Sequence, residues 1–278
     1  MTDPMPSCCN PEAFNLMRRA CQRIETPAAL IEGAVAIARH ANPGEKIEPV
    51  KQRLTDMARK LRSRVRGPQP QAMVAHLHEM LFVEEAFIGN TLNYHDPNNS
   101  YLPAVLESKR GLPITLSLIY KVVGERAGVK IRGLGLPGHF CAGVETDEGI
   151  MIVDPFYSGR LLNPNEALER VRDTYGSEIE WSDDVLRPVS NRHWLTRIMQ
   201  NLLHTFSERD RLTDVAAMLE LEILLWPEQS HLQRDLALVL ARAGQTNPAS
   251  RWLGSYLAAN PNDPQRDDLE QLLDVLSP

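Results

Sequence analysis

The chain has 278 residues, of which 43% are hydrophobic, and a formal net charge of −6. This length and apolar content allow one large domain or two modest ones, each with a hydrophobic core. The negative balance excludes the broad basic surface of a general nucleic-acid-binding protein. It arises in residues 207–278, which carry 12 Asp and Glu residues and 6 Arg residues. We therefore expect an acidic C-terminal region and no nucleic-acid partner.

The sequence shows neither targeting signals nor metal-binding motifs. Its first residues lack a basic segment followed by an apolar one, so they do not resemble a secretory signal. No apolar run approaches the roughly 20 residues that a membrane span requires. Four cysteines are present without zinc-binding spacing: Cys8, Cys9, Cys21 and Cys141. We therefore expect free thiols in a reducing cytoplasm, with no membrane contact, no metal and no cofactor.

Helices dominate the N-terminal third. Residues 1–12 are predicted to form a loose arm. Proline, asparagine and glycine breakers separate four predicted helices, at 11–23, 27–41, 47–66 and 71–87. The basic side chains of the third helix are typical of a solvated face, since aromatic residues for base stacking are missing there.

The central segment of the chain holds the residues that point to a site. It opens with the turn cluster Asp-Pro-Asn-Asn-Ser, in which Asp96 and Asn99 are expected to cap a helix that begins near residue 100. The alternative is that these two residues and His95 line a pocket. Arg110 is expected to form an ion pair, with Asp154 or another carboxylate, and anion binding is the alternative.

A helix and two strands complete this segment. Apolar residues at helical spacing predict a helix over 114–127, which a glycine ends. Residues 129–146 and 149–156 are rich in Val and Ile and predict two antiparallel strands joined by a tight turn. His139 on the first strand and Asp154 on the second can then face each other as a hydrogen-bonded imidazole–carboxylate pair.

Three sequence blocks make the segment recognisable. They are Arg-Gly-Leu-Pro-Ile-Thr-Leu-Ser at 110–117, Pro-Gly-His-Phe at 137–140 and Val-Asp-Pro-Phe at 153–156. Together with the run Asn-Tyr-His-Asp-Pro that begins at residue 93, they resemble the transglutaminase-like core of bacterial proteins of the SirB type. The resemblance covers residues 25–165 and implies a papain-like fold, behind which tetratricopeptide-like repeats follow.

The resemblance also implies a Cys–His–Asp triad, and here the sequence departs from the family. His139 and Asp154 match two of the three triad positions. When Gly111 and Gly128 are set against the family's landmarks, Pro113 occupies the position of the cysteine. Proline has no nucleophile and is a good helix starter. The resemblance therefore implies the fold and two members of a triad, without the expected nucleophile.

Other groups near His139 offer alternatives. Cys141 follows two residues later and is expected on the same strand face, either as a core thiol or as a nucleophile. Two hydroxyls one turn into the helix are also candidate nucleophiles: Thr115 and Ser117. On residue types alone, a metal site of His139, Asp154 and His95 is a further alternative.

The C-terminal part is predicted to be helical from Asn191 onward. Trp226-Pro227 and Asn260-Pro261 both close a helix pair and lie 34 residues apart, which is the tetratricopeptide period. Trp181 and Leu186 are expected to anchor a polar linker just before this region. We predict three segments: an arm at 1–24, a transglutaminase-like domain at 25–188 and a helical repeat domain at 189–278.

The predicted fold class is α+β, with a transglutaminase-like (papain-like) core, N-terminal helices and an all-α tetratricopeptide-like domain. We expect a non-catalytic or regulatory protein that holds a protein or peptide partner in a groove or on the helical repeats. The groove is expected to involve Arg110, Pro113, His95, Asp96 and Asn99. The alternatives are a hydrolase or acyltransferase acting on amide or peptide bonds through the His–Asp pair, and a purely structural scaffold.

Overall fold

A computed structural model describes residues 5–65, 70–175 and 187–276. The chain forms two compact units. We call Glu25–Ile31 with Lys46–Ile198 the core unit, and Met1–Ile24, Glu32–Glu45 and Met199–Pro278 the helical unit. The domain boundaries predicted from the sequence, 25–188 and 189–278, stay a prediction. The predicted linker anchors Trp181 and Leu186 lie outside the described residues.

The N-terminal helices follow the predicted order. They are α1 (Pro11–Cys21), α2 (Pro27–Ala41), α3 (Ile47–Arg62) and α4 (Pro70–His78). A single π-helical turn, Glu79–Glu84, continues α4 and replaces the end of the predicted fourth helix. It ends at Glu84, and Ala86, two residues further on, has a φ of 56° in the left-handed region. Short π-helical turns often occur near functional sites.

The core unit is organised around α6 (Pro113–Ala127), which is one residue longer than predicted. Twelve of its fifteen residues are buried, and the other three form one half-buried charged side: Lys121, Glu125 and Arg126. The rest of the helix surface packs in the core. Proline at its first position needs no intrahelical partner. Gly128 ends it with φ 103°, a left-handed conformation that glycine adopts without strain.

A four-stranded antiparallel sheet accompanies α6, in the order β3, β4, β5, β6. The strands are β3 (Ile131–Leu134), β4 (Cys141–Thr146), β5 (Gly149–Asp154) and β6 (Arg160–Leu162). The prediction of one strand over 129–146 was wrong, because β3 and β4 are separate. A turn containing Gly138, with φ 67°, divides them, since proline and a left-handed glycine cannot continue a ladder. His139 therefore precedes β4.

The remaining core elements are short, apart from α7. A parallel two-residue pair joins β1 (Ile88–Gly89) to β2 (Arg110–Gly111), and α5 (Leu102–Ser108) lies between them in the chain. After β6, α7 (Pro164–Tyr175) begins at a capping box, in which Asn163 and Glu166 each bond the other's backbone N–H. This mixture of helices and sheets confirms the predicted α+β class.

The C-terminal helices are α8 (Asn191–Glu208), α9 (Leu212–Leu225), α10 (His231–Arg242), α11 (Thr246–Ala259) and α12 (Arg266–Leu276). The backbone recurs after 34 residues. Asp210 and Gly244 both have positive φ, of 53° and 73°. Trp226 and Asn260 both close a helix with nearly the same φ and ψ, −128°, 60° and −126°, 68°. None of the described helices has the length and apolar content needed to cross a membrane.

Residues 7–9 of the predicted N-terminal arm are held by α9 rather than loose. The carboxylate of Glu220 on α9 accepts hydrogen bonds from the backbone N–H groups of Ser7, Cys8 and Cys9, at 2.5, 3.1 and 2.7 Å. Glu220 and Cys9 are 2% and 4% exposed. One buried carboxylate thus satisfies three consecutive backbone donors, a contact between residues more than 200 positions apart that no local pattern reveals.

Candidate functional site

The His–Asp pair predicted from the sequence is present in the core unit. Nε2 of His139 lies 2.8 Å from Oδ2 of Asp154. Asp154 ends β5 and its side chain is fully buried, whereas the His139 side chain is 10% exposed. The two residues reach each other because the turn after β3 returns the chain to the end of the β4–β5 hairpin. The imidazole therefore has one nitrogen fixed by a carboxylate and one edge near the surface.

Asp154 is oriented through both carboxylate oxygens. Oδ2 bonds His139, and Oδ1 accepts a hydrogen bond of 3.1 Å from the backbone N–H of Phe156. The second bond caps the short 3-10 turn Pro155–Tyr157. Asp, Pro and Phe follow one another here because the aspartate caps the turn that the proline begins. The predicted pairing with Arg110 is wrong. Arg110 is exposed, and its guanidinium forms no ion pair with any residue that the structure describes.

Aromatic side chains surround the imidazole. The ring of Phe156 lies 6.3 Å from that of His139, 6.0 Å from Tyr94 and 5.1 Å from Tyr157. It packs on Gly89, where a Cβ atom would lie 2.5 Å from the ring, so only glycine fits there. Tyr94 and Tyr157 are 39% and 44% exposed. We call Tyr94, Phe156 and Tyr157 the aromatic surface.

The loop that carries Tyr94 is tied down by Asn99. This side chain is 2% exposed. Its amide donates to the backbone oxygens of Asn93 and Tyr94 at 2.6 and 3.0 Å, and its oxygen accepts from Asn90 at 2.9 Å. Its backbone oxygen accepts from Leu112 N–H just before α6. Asn99 thus links the aromatic surface to the start of α6.

The other two predicted residues of this loop, Asp96 and His95, have different surroundings. Asp96 caps the 3-10 turn Pro97–Asn99 through a 3.0 Å bond from the N–H of Asn98. The prediction that Asp96 and Asn99 cap the following helix was wrong, because α5 begins at Leu102 without a side-chain cap. His95 is exposed and stacks edge-on against Tyr94, with 5.4 Å between ring centroids. His95 does not join His139 and Asp154 in any group of ligating atoms among the described residues. Pocket lining by these residues stays a prediction.

The start of α6 carries a proline and two hydroxyl groups. Pro113 is buried at its first helical position. The hydroxyl of Ser117 donates to the backbone oxygen of Phe140 at 3.4 Å. The hydroxyl of Thr115 is buried without a hydrogen-bond partner among the described residues. Neither hydroxyl is hydrogen-bonded to the His139 imidazole, which an activated hydroxyl nucleophile would require.

Cys141 belongs to the core. The thiol lies fully buried in an apolar cluster formed by Leu134, Leu136, Ile152, Leu162, Ala167 and Val171. Burial raises the pKa of the Cys141 thiol well above its ordinary value, and the negative charge of Asp154 adds to this effect. The thiol therefore stays protonated at neutral pH, the state in which cysteine is a poor nucleophile.

Two residues of α8, Trp194 and Arg197, fix the loop that carries His139. The Arg197 guanidinium donates to the backbone oxygens of Leu136 and His139, at 3.0 and 3.1 Å. Trp194 is fully buried and packs against Phe140 at a tilt of 50°, with 4.5 Å between ring centroids. Its Nε1 donates to the backbone oxygen of Ile114 on α6 at 3.2 Å. Sequence reasoning missed both residues because it placed α8 in the repeat domain.

Comparison with known proteins identifies the class. Residues 48–200 match the family model of the transglutaminase-like superfamily. This is more than half of the chain, and it contains the His–Asp pair, the aromatic surface and the start of α6. The chain therefore belongs to the transglutaminase-like superfamily. No solved structure is a significant match.

Relatives within this class are bacterial UPF0162 proteins. The UPF0162 protein of Xylella fastidiosa strain 9a5c is 34% identical over 194 residues, which cover 68% of either chain. That of Vibrio cholerae is 20% identical over 263 residues, covering 94% of this chain and 97% of the relative. F-box only protein 21 of Homo sapiens is 29% identical over 98 residues, 32% of this chain and 16% of the relative. The bacterial similarity thus extends over most of the chain, and the human one over a third.

Proposed function

We propose that this protein binds a peptide or protein segment on the aromatic surface beside His139, without catalysing acyl transfer. The observation that carries the proposal is Pro113. This residue opens α6 at the position where the resemblance to the family implies the nucleophilic cysteine, and proline offers neither a thiol nor an N–H group. The His139–Asp154 pair then serves as a fixed polar anchor for a ligand.

The surface beside the pair supports binding. Leu92, at 91% exposure, lies on the same loop as Tyr94, and Tyr157 adds a second half-exposed ring. Aromatic side chains next to a small number of fixed polar groups are typical of recognition sites. The loop under Tyr94 is preorganised by the Asn99 bonds, so little conformational entropy is lost when a partner binds.

One observation favours an amidase or acyltransferase as a second candidate. The 2.8 Å bond between His139 and Asp154 orients the imidazole as it would be oriented in a general base. Such an enzyme also needs a nucleophile. Cys141, the thiol nearest in sequence to His139, is fully buried and protonated, which is why we place binding first.

Thiol mapping separates the two candidates. The folded protein is treated with a small alkylating agent between pH 5 and 9, and the four cysteines are followed by peptide mass spectrometry. We expect Cys141 to stay protected until the protein unfolds, with no effect of His139→Ala. Rapid alkylation of Cys141 at neutral pH, slowed by His139→Ala, would contradict the proposal and establish an activated thiolate.

Binding itself is tested with a displayed library of random peptides, selected on the full chain. We expect the selected peptides to lose at least tenfold in affinity for Tyr157→Ala, because the ring supplies exposed contact area. Val275→Ala is the matched control, since Val275 is 82% exposed on α12 of the helical unit. Peptides whose affinity is unchanged by Tyr157→Ala would refute the aromatic surface as their site.

The helical unit offers a second route to a partner, in line with the SirB-type resemblance. Its 34-residue backbone recurrence and its acidic residues support a short repeat surface that attracts basic segments. We propose this as an additional contact. The same selection addresses it, because peptides that respond to changes on α9–α12 and not to Tyr157→Ala would belong to this second surface.

A further inference from the structure

An imidazole, a thiol and a carboxylate converge at one end of the β4–β5 hairpin. Their ligating atoms, in His139, Cys141 and Asp154, all lie within 4.8 Å of one another. The register explains this. Ala142 pairs with Val153, so Cys141 lies across from Asp154 and the two side chains share a sheet face. His139 precedes Cys141 by two residues, and its side chain lies on the same face of the sheet as those of Cys141 and Asp154.

We propose that His139, Cys141 and Asp154 form a binding site for one divalent cation of the zinc or cobalt class. The donor set is one nitrogen, one sulfur and one oxygen, which suits borderline metals and is a poor match for the all-oxygen preference of magnesium or calcium. Three protein ligands with one open position are typical of zinc sites that bind a further molecule.

The distances are compatible with a metal. Bond lengths of about 2.0–2.3 Å in a tetrahedral site place the donor atoms about 3.5 Å apart. Nε2 of His139 and Oδ2 of Asp154 are 2.8 Å apart and would separate slightly. The Cys141 thiol would release its proton to solvent as its sulfur binds the metal. The open position would face the surface through the His139 side chain, which is 10% exposed, whereas Cys141 and Asp154 are fully buried.

The local charge also favours a cation. The Asp154 carboxylate is fully buried and forms no ion pair with Lys or Arg among the described residues. Its two partners, the His139 imidazole and the backbone N–H of Phe156, carry no permanent positive charge, which a bound metal ion would supply. One opposing charge is present, because the Arg170 guanidinium acts on Cys141 and packs over the Tyr157 ring at 4.3 Å. Arg170 therefore weakens the site without removing a ligand.

This inference does not rest on the proposed function. A chain that binds no peptide can still bind the metal, and the metal readout below involves neither a peptide nor a substrate. The competing explanation is a structural His–Asp pair next to a core thiol, and the experiment distinguishes the two.

The test uses the full chain, stripped of metal by a chelator and kept reduced with a phosphine. Cobalt(II) is titrated while the near-ultraviolet thiolate-to-cobalt band and the d–d bands are recorded, and elemental analysis after dialysis gives the stoichiometry. We expect one cobalt per chain, displaced by zinc. Cys141→Ala should abolish the thiolate band, and His139→Gln should weaken binding at least tenfold, because loss of a direct ligand should cost no less than loss of an outer-shell partner, about 10–100-fold.

Cys21→Ala is the matched control, since Cys21 is a half-buried thiol outside the group and should leave the titration unchanged. Circular dichroism checks that each variant is folded. If Cys141→Ala fails to fold, the partly exposed His139 variant decides alone. A folded wild-type chain without a thiolate band in excess cobalt, or a band unchanged in the folded Cys141 or His139 variant, would overturn the site.

Discussion

Gly133→Ala is the most direct test of how α8 holds the candidate site. A Cβ atom at Gly133 on β3 would lie 2.3 Å from Cζ3 of Trp194 and 2.9 Å from Cζ of Phe140. These rings are 0% and 1% exposed, so neither can swing into solvent. Overpacking of this kind costs about 1–3 kcal/mol. The lower chain entropy of alanine in the unfolded state returns about 0.4–1 kcal/mol, which leaves a net loss of about 1–2 kcal/mol.

Gly143→Ala is the matched control, because Gly143 lies on the neighbouring strand β4. A Cβ atom there would lie 3.0–3.1 Å from the side chains of Ile150, Arg132 and Leu134, which need to move by only a few tenths of an ångström, so we expect a smaller loss, below about 1 kcal/mol. Urea unfolding, followed by circular dichroism and tryptophan fluorescence, measures both variants. The two compact units can give separate transitions, and the core-unit transition is the one to compare.

A double-mutant cycle identifies the clash. Trp194→Phe shortens the ring that Gly133→Ala would strike, so the glycine substitution should cost at least about 0.5 kcal/mol less in that background. Equal losses for Gly133→Ala and Gly143→Ala, or costs that add without coupling to Trp194, would refute the argument that this ring is wedged against β3.

Three further predictions concern stability. Burial raises the pKa of Glu222 from 4.5 to about 7. The folded state therefore binds the proton more tightly and stability falls as pH rises from about 4.5 to 7, so Glu222→Gln should stabilise the protein by about 2–3 kcal/mol at pH 8 and by little at pH 4.5 in urea titrations. Burial lowers the pKa of His78, which bonds the Tyr120 hydroxyl at 2.9 Å, from 6.5 to about 4. The free energy of unfolding is therefore unaffected above pH 6.5 and falls as pH falls toward 4. His78→Gln should remove about 1–2 kcal/mol of this fall, a figure lowered because the side chain is partly exposed. An unchanged dependence of unfolding on pH would contradict this. Asn99→Ala should lower the free energy of unfolding by about 2–3 kcal/mol because its hydrogen-bond partners are left unpaired, whereas the exposed control Asn98→Ala should lower it by less than about 0.5 kcal/mol. Equal losses would show that the buried hydrogen bonds do not stabilise the protein.

Local patterns predicted the elements that local chemistry controls. Helix α6 begins and ends where its proline and Gly128 indicate, since each sets the backbone conformation of its own residue. Asp96 caps a local 3-10 turn, although the helix it was expected to cap begins later, at Leu102, without a side-chain cap. The His139–Asp154 pair was also predicted, because a hairpin places residues near its ends together. The division of β3 from β4 was missed, although Pro137-Gly138 is a recognisable break.

The helical surroundings of the site were not predictable in the same way. Trp194 and Arg197 lie more than 50 residues from the groups they bond. The α8 sequence alone does not show that this helix holds the loop that carries His139, because any amphipathic helix has the same spacing of apolar residues. The arm residues held by Glu220 present the same problem, since a polar N-terminal sequence is also typical of an unstructured tail.

Residue identity alone established that the start of α6 carries a proline and no thiol, because the chemistry of a side chain does not depend on the fold. It also determined that an imidazole and a carboxylate would be available near each other. Three features depend on the folded structure. Cys141 is buried, its sulfur lies near the ligating atoms of His139 and Asp154, and two α8 side chains hold the loop that carries His139. Burial and convergence depend on strand register and on packing between distant segments.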